Sequence, residues 1–313
     1  MRDAFFEILE RLMDSNKKII FITADLGFKL FDRIAARHPD RVINVGIREA
    51  TMIGIAAGLS KEGFLPFVYS IVPFVTLRCV EQIRVDLCYN NLSAVLVGVG
   101  SGLAYGPNGP THMGIEDIGV MNALPNLAIL SPCDAYEVRV LLPQAIRLKM
   151  PVYVRLARTG EPLCYNKNTS IPKVGCPSVL KEGTDAAVIT YSTMVHEVLT
   201  TVQELEKEKE CSIRVISWHT LKPLKEKLIL PLFKDNIPVM VIEEQMSGGS
   251  LGSQLALFLK EHANLNPFYH LHLPDKYPDI CGDREYLLGR SKLSKAHIKR
   301  KIKEFLNKVQ MNE

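Results

Sequence analysis

No two cysteines stand at Cys-x-x-Cys spacing, no stretch approaches ~18 uninterrupted apolar residues, and no segment is repetitive or of low complexity. The first absence removes the common metal and redox knuckles. The cysteines, at 79, 88, 133, 164, 176, 211 and 281, are odd in number and several lie inside apolar runs. Buried reduced thiols are expected, which suits a cytoplasmic protein. The second absence predicts no membrane span. The opening MRDAFFEILERLMDSNKK carries acids through its apolar stretch, so it reads as an amphipathic helix and not a signal peptide. Charge of one sign is also missing. A formal net charge of +4 is too mild to imply nucleic acid. Its main concentration, seven Lys or Arg between Lys292 and Lys308 against Glu304, reads as the solvated face of a terminal helix.

What is present is an ordinary globular composition, 47% hydrophobic and 23% charged over 313 residues, enough for two domains. Apolar runs of strand length alternate with helix-period segments. KIIFITAD (18–25), RVINVGI (41–47), FLPFVYSI, SAVLVGVG (93–100), LAILSP and PVYVRLA (151–157) read as strands, and FVTLRCVEQIRVDLCYNN reads as one of the helices between them. The stretch 159–184 lacks periodicity and reads as a linker. The pattern restarts with DAAVITYS (185–192) and includes IPVMVIEE (237–244). The fold class expected is α/β: two open, mostly parallel sheets with helices on both faces, a first unit over 1–170 and a smaller one over 185–313. In such sheets ligands bind beyond the carboxyl ends of the strands. There the chain places GSGLAYGPNGPTHMGIED, whose glycines 100, 102, 106 and 109 either let backbone approach a ligand or simply allow turns.

Glu49 stands where strand RVINVGI meets an almost wholly apolar helix. It is either a first-turn acid near the helix cap or a partly buried acid that hydrogen-bonds a ligand's ring nitrogen. His112, in the Gly/Pro loop, is either a surface residue or a general acid/base. Arg155 and Arg158 lie three apart on a strand and point to opposite faces. One could pair with an internal acid while the other meets an anionic substrate. GGSLGS (248–253) follows a strand and opens a helix but lacks Gly-x-Gly-x-x-Gly spacing, so it reads as a structural turn.

Taken in order, NVGIREATMIGIAAGLS, PFVYSIVPF, GPNGPTHMGIED, LPNLAILSPCDAYE and PVYVRLAR resemble the pyrimidine-binding domain of transketolases. IEEQMSGGSLGS and DREYLLGRSKLS are similar to the transketolase C-terminal domain, so the resemblance covers essentially the whole chain. Its nearest type is the C-terminal subunit of a split transketolase. The resemblance implies thiamine diphosphate, with the protein orienting and tuning the cofactor. Glu49 would hydrogen-bond the aminopyrimidine and favour its imino tautomer, Phe74 would stack on that ring, and Asp25 would lie near the cofactor at an interface between subunits. His112 would contact the donor sugar and help proton transfer, and Arg158 and Arg2 would bind the substrate phosphate. Departures fall on the sugar side. Asn108 replaces a family aspartate, Gly100 a channel histidine, Lys29 a phosphate-binding serine, and Ala50 follows the glutamate where histidine is frequent.

The family holds the diphosphate through a Gly-Asp-Gly…Asn motif whose oxygens suit Mg²⁺, or Ca²⁺ or Mn²⁺ in its place. This chain has no Gly-Asp-Gly; CGDRE at 281–285 is the nearest match. The resemblance therefore implies an N-terminal, diphosphate-binding partner subunit that holds the metal, an α2β2 assembly, and sugar phosphates as substrates. The other readings are a deoxyxylulose-phosphate-synthase-like enzyme, a 2-oxoacid dehydrogenase β-type subunit, and a non-catalytic interaction subunit.

Overall fold

The computed structural model describes residues 1–158, 160–167, 169–208, 211–233, 237–264 and 266–311. Two sheets are formed. The strands of the first are β1 (Ile19–Thr23), β2 (Val42–Asn44), β3 (Leu65–Ile71), β4 (Val95–Val99), β5 (Ala128–Leu130) and β6 (Val152–Leu156). The second contains β7 (Ser178–Lys181), β8 (Ala186–Thr190), β9 (Ile213–Ser217), β11 (Val239–Met246) and β12 (Phe268–Leu273), while β10 (Thr220–Lys222) returns to the first. The orders are β10-β5-β6-β4-β3-β1-β2 and β12-β11-β8-β9-β7, parallel except for the two antiparallel edges, β10 on β5 and β7 on β9. The central strands β1, β4 and β6 are buried along their whole length, as continuous apolar runs require when helices cover both faces.

Three expectations change in detail. The stretch read as linker contains β7, so the second sheet begins before residue 185; its four residues alternate between buried and half-buried, a period-2 signal too short to stand out among Gly and Pro. Strand β10 is three residues long and carries no pattern of its own. The helix expected after β3 breaks into short pieces, Val72–Val75, Leu77–Cys79 and Val80–Gln82, followed by a π-helical segment at Ile83–Tyr89. Pro73 opens the first piece, and the Thr76 hydroxyl donates to the Val72 carbonyl at 2.6 Å, bending the chain at the fourth residue.

Other readings hold. The basic terminal helix Lys295–Gln310 lays Lys295, Lys299 and Lys303 against Glu204 and Glu208 of helix Met194–Glu208. The turn at 248–253 is filled from within, since the Ser250 hydroxyl and the Gly252 amide donate to Glu243 at 2.6 and 3.0 Å. None of the seven cysteines forms a disulfide, but only Cys79, Cys88 and Cys133 are buried, and Cys281 is exposed. Burial raises the Cys79 thiol to about 12, with the Glu49 charge adding to it, so this thiol stays protonated. No helix among the described residues is long and apolar enough to cross a membrane.

The halves are joined by polar groups at the end of β11. Glu243 accepts from Tyr191 at 2.7 Å, from Ser250 and Gly252, and pairs with His270. Burial alone would push its carboxyl up, but these hydrogen bonds hold it below its usual value. Glu244 accepts from the Leu103 amide at 2.6 Å and pairs with Arg284, and Gln245 accepts from Arg155 at 3.1 Å. Glu244 and Gln245 thus clamp the Gly-rich loop and β6 of the first half, while Glu243 is held within the second.

Candidate active site

Strand β1 lies between β2 and β3, so the chain leaves β1 and β3 in opposite directions and a crevice opens over their carboxyl ends. Helix Glu49–Lys61 starts there, burying Met52, Ile53, Ala56 and Ala57 on the sheet. That packing fixes Glu49 at the helix N-terminus, 2% exposed. A buried carboxylate needs partners. Ser70, the penultimate residue of β3, donates to Oε1 at 3.3 Å, and Arg78 donates to Oε2 at 2.6 Å. The Arg78 guanidinium also sits over the Phe74 ring, 4.4 Å from its centroid. The His112 ring meets Phe74 edge to face at 5.1 Å, and His112 Nδ1 lies 2.9 Å from the Thr111 hydroxyl. Glu49, Arg78, Phe74 and His112 therefore form one continuous row.

The loop carrying His112 is held at both ends. The Gly100 and Ser101 amides donate to the Leu156 carbonyl at 2.9 and 3.0 Å, and Gly102 and Gly114 exchange backbone hydrogen bonds at 2.8 and 3.0 Å. Gly102, at φ +59°, passes so close to Glu244 that a Cβ would stand 2.5 Å from its carboxylate. Asn108 is exposed on the turn Gly106–Asn108 of the same loop.

The two arginines assigned to an anion also come together. The Arg2 amide donates to the Arg158 carbonyl at 3.2 Å, and the Arg158 guanidinium lies 5.5 Å from the Tyr105 ring centroid. Beside Arg158 a cleft of about 250 Å³ opens between the halves, lined also by Ala104, Cys133, His196 and Arg284. Its floor is fixed by reciprocal capping of helix Ala135–Ala145. Asp134 accepts from the Glu137 amide at 2.8 Å, and Glu137 accepts from the Cys133 amide at 2.7 Å. Arg155 faces the other way. It is buried and donates to Asp117 at 2.9 Å, the internal acid that the strand alternation called for.

Two further sequence-assigned residues have partners of their own. Asp25, at φ +58°, exchanges hydrogen bonds with Asn44 at the ends of β1 and β2. Lys29 lines a groove with Asp3, Glu7, Glu10 and Arg33 against the first helix, Arg2–Ser15. Sequence reasoning missed Arg78, Ser70 and Tyr105. A single Arg in an apolar segment and a Ser inside a strand carry no signal until the fold sets them beside Glu49.

The donor set can be weighed against the implied cofactor. A buried carboxylate at a helix N-terminus and an aromatic ring beside it are the two contacts an aminopyrimidine needs, and they fit it once the Arg78 guanidinium turns off the ring face. Among the described residues, one cluster of three potential metal ligands occurs, Cys133, Asp134 and Cys164. Its two sulfurs do not suit a magnesium ion, which prefers oxygen.

A doubly wound α/β unit with a carboxylate–aromatic–histidine row at its strand ends, joined to a second open sheet, defines a two-domain, cofactor-binding enzyme class. Residues 1–160 match the family model of the transketolase pyrimidine binding domain and residues 177–298 that of the transketolase C-terminal domain. The chain belongs to the transketolase family. It is 30% identical to the 6-deoxy-6-sulfo-D-fructose transketolase subunit of a Clostridium species, over 97% of this chain and 94% of that one. It is 33% identical to one subunit of the apulose-4-phosphate transketolase of Actinobacillus succinogenes, over 79% of each chain. Against the 1-deoxy-D-xylulose-5-phosphate synthase of a Geobacillus species it is 31% identical but spans 48% of that protein. A solved split gene transketolase, an inactive beta4 tetramer, superposes with a TM-score of 0.88 at 30% identity over 98% of both chains.

Proposed function

We propose that this chain is one subunit of a thiamine diphosphate-dependent transketolase that moves a two-carbon ketol unit from a ketose phosphate to an aldose. The row Glu49–Arg78–Phe74–His112 at the strand ends carries this reading. When bound, thiamine diphosphate supplies the carbanion-stabilising chemistry that no side chain provides. Glu49 holds the proton shared with the aminopyrimidine nitrogen, and its buried seat keeps water from that proton. Phe74 offers its ring face to the pyrimidine. His112, against the edge of Phe74, orients the donor sugar and moves a proton at its hydroxyl. Arg158 and Arg2 hold the phosphate, with Asn108 and Lys29 as the altered parts of the sugar-binding shell, and Asp25 faces the boundary between subunits near the cofactor. The reaction is cytoplasmic, in keeping with seven cysteines that form no disulfide.

The diphosphate and its metal ion are assigned to a second polypeptide, in an α2β2 complex. The chain lacks the Gly-Asp-Gly motif, and the two relatives matched along most of their length are both named as transketolase subunits. The crevice rim offers a surface for that partner. Ile47 is 76% and Phe28 61% exposed, and side chains added at Gly54 and Gly58 would meet open space. Calorimetry of thiamine diphosphate with Mg²⁺ should show weak or no binding to the isolated chain and tight binding to the reconstituted complex. Tight binding to the isolated chain would sink the partner assignment. Product analysis separates the decarboxylating relatives, since ketol transfer from a ketose phosphate releases no carbon dioxide.

His112→Ala in that complex should lower kcat by about 10- to 100-fold, at or below the usual range for one acid/base group. This loss should be smaller than that at Glu49. Steady-state kinetics with one donor and one acceptor checks it, and equal losses at the two positions would refute their separate roles.

A further inference from the structure

Gly100 and Tyr105 are linked by geometry. Gly100 has φ +91°, a conformation side chains rarely adopt, and any Cβ there would collide with the Tyr105 ring. A residue with a side chain is therefore barred from position 100 twice over, by backbone strain and by the ring. Tyr105 is half-buried, and its ring packs on the apolar cluster that includes Tyr69. The other neighbour of the ring is Arg158, at 5.5 Å. No hydrogen-bond partner of the Tyr105 hydroxyl is found among the described residues. The Tyr105 carbonyl accepts from the Asn108 amide at 2.9 Å, so the ring also marks the start of the turn that presents Asn108.

We infer that Tyr105 is a specificity-determining residue of the donor site. Its ring closes the channel over Gly100, and its hydroxyl hydrogen-bonds the tetrahedral oxyanion at the far end of the ketose, beside Arg158. The inference rests on the ketol-transfer reading for its substrate and on the Gly100–Tyr105–Arg158 contact for its location. A phenol hydroxyl donates one directed hydrogen bond. The guanidinium of Arg158 then supplies the charge, and the hydroxyl supplies direction. Phosphate and sulfonate share this chemistry, a tetrahedral group with several acceptor oxygens.

Tyr105→Phe removes the hydroxyl and keeps the ring. In the reconstituted complex it should raise KM about tenfold for a ketose ending in an oxyanion, the loss expected for one hydrogen bond to a charged group. The kcat should stay within about twofold, since the reacting carbon is not touched. L-erythrulose, a donor without a terminal anion, should show no change. Running D-fructose 6-phosphate and 6-deoxy-6-sulfo-D-fructose side by side tells the anions apart, because the true one shows the larger rise. Equal rises for erythrulose and the anionic donors, or no rise at all, would overturn the inference. In parallel, inorganic phosphate and methanesulfonate are titrated calorimetrically into the full chain, alone and assembled. Weaker binding of either anion by Tyr105→Phe supports the role of the hydroxyl, and unaltered or absent binding of both counts against it. A complex with no ketol transfer from any donor refutes the functional reading, while the titrations still decide Tyr105.

Discussion

Glu49→Ala should lower turnover of the assembled complex by at least about 100-fold, to background in a routine assay, without preventing folding or assembly. The chemical reason is that Glu49 is the carboxylate of the crevice row, paired with the arginine that lies over Phe74. The structural reason is the uneven exposure of the pair. Glu49 is buried, but the Arg78 side chain is 46% exposed and can turn into water once its partner is gone. A half-exposed pair is screened by solvent and contributes little, ~1 kcal/mol or less. The measurements are kcat beside size-exclusion chromatography and a thermal melt of the variant. Full activity would refute the assigned role, and failure to assemble would show that Glu49 is structural. Glu49→Gln, which keeps the shape and one acceptor oxygen, separates the two by retaining assembly.

The opposite pattern is expected at Asp117, which is fully buried at the start of helix Asp117–Asn122. Its Oδ2 accepts from Arg155 at 2.9 Å and from the Tyr153 hydroxyl at 2.7 Å. Arg155 is equally buried and also reaches the Gly114 carbonyl and Gln245. Burial would weaken the Arg155 proton, but the Asp117 charge holds it in place. Asp117→Ala leaves an unpaired guanidinium in the interior, which costs about 3–5 kcal/mol. Urea denaturation of the purified chain should show the midpoint fall sharply, with soluble yield falling alongside. A midpoint within error of the unaltered chain would mean that the guanidinium finds another partner or reaches solvent. This residue touches nothing in the crevice row, so losses at Asp117 should track folded protein and losses at Glu49 should not.

The sheets were largely legible because parallel strands buried on both faces read as plain apolar runs, and SAVLVGVG or PVYVRLA admit no other assignment. The position of Glu49 at a strand–helix junction could be read too, whereas its depth could not, since burial depends on Ser70 and Arg78 arriving from another part of the chain. Phe74 is a core aromatic by pattern and gains meaning only from its motif. Arg155 is buried on β6, but Arg158 lies beyond the end of that strand, so alternation alone does not account for their separation, and it could not say which acid Arg155 meets. The same logic failed after β3, where one helix was expected. Helical periodicity does not record a hydroxyl returning to its own backbone, as Thr76 does, or a π-helical segment. Lys29 and Asp25 were placed by motif alone, and the fold adds that Lys29 lines a groove against the first helix and that Asp25 is bonded to Asn44 of β2.

Strand β10 separates two kinds of boundary. Sequence similarity to the pyrimidine domain ends at residue 160, yet the sheet of that domain is not complete until residues 220–222 bond to β5. Cutting the chain between the two matched regions would strip β5 of its neighbour and leave an open row of amides and carbonyls, the kind of edge along which chains aggregate. Neither matched region alone therefore contains the whole of the first sheet, and the two halves depend on each other through a strand of three residues.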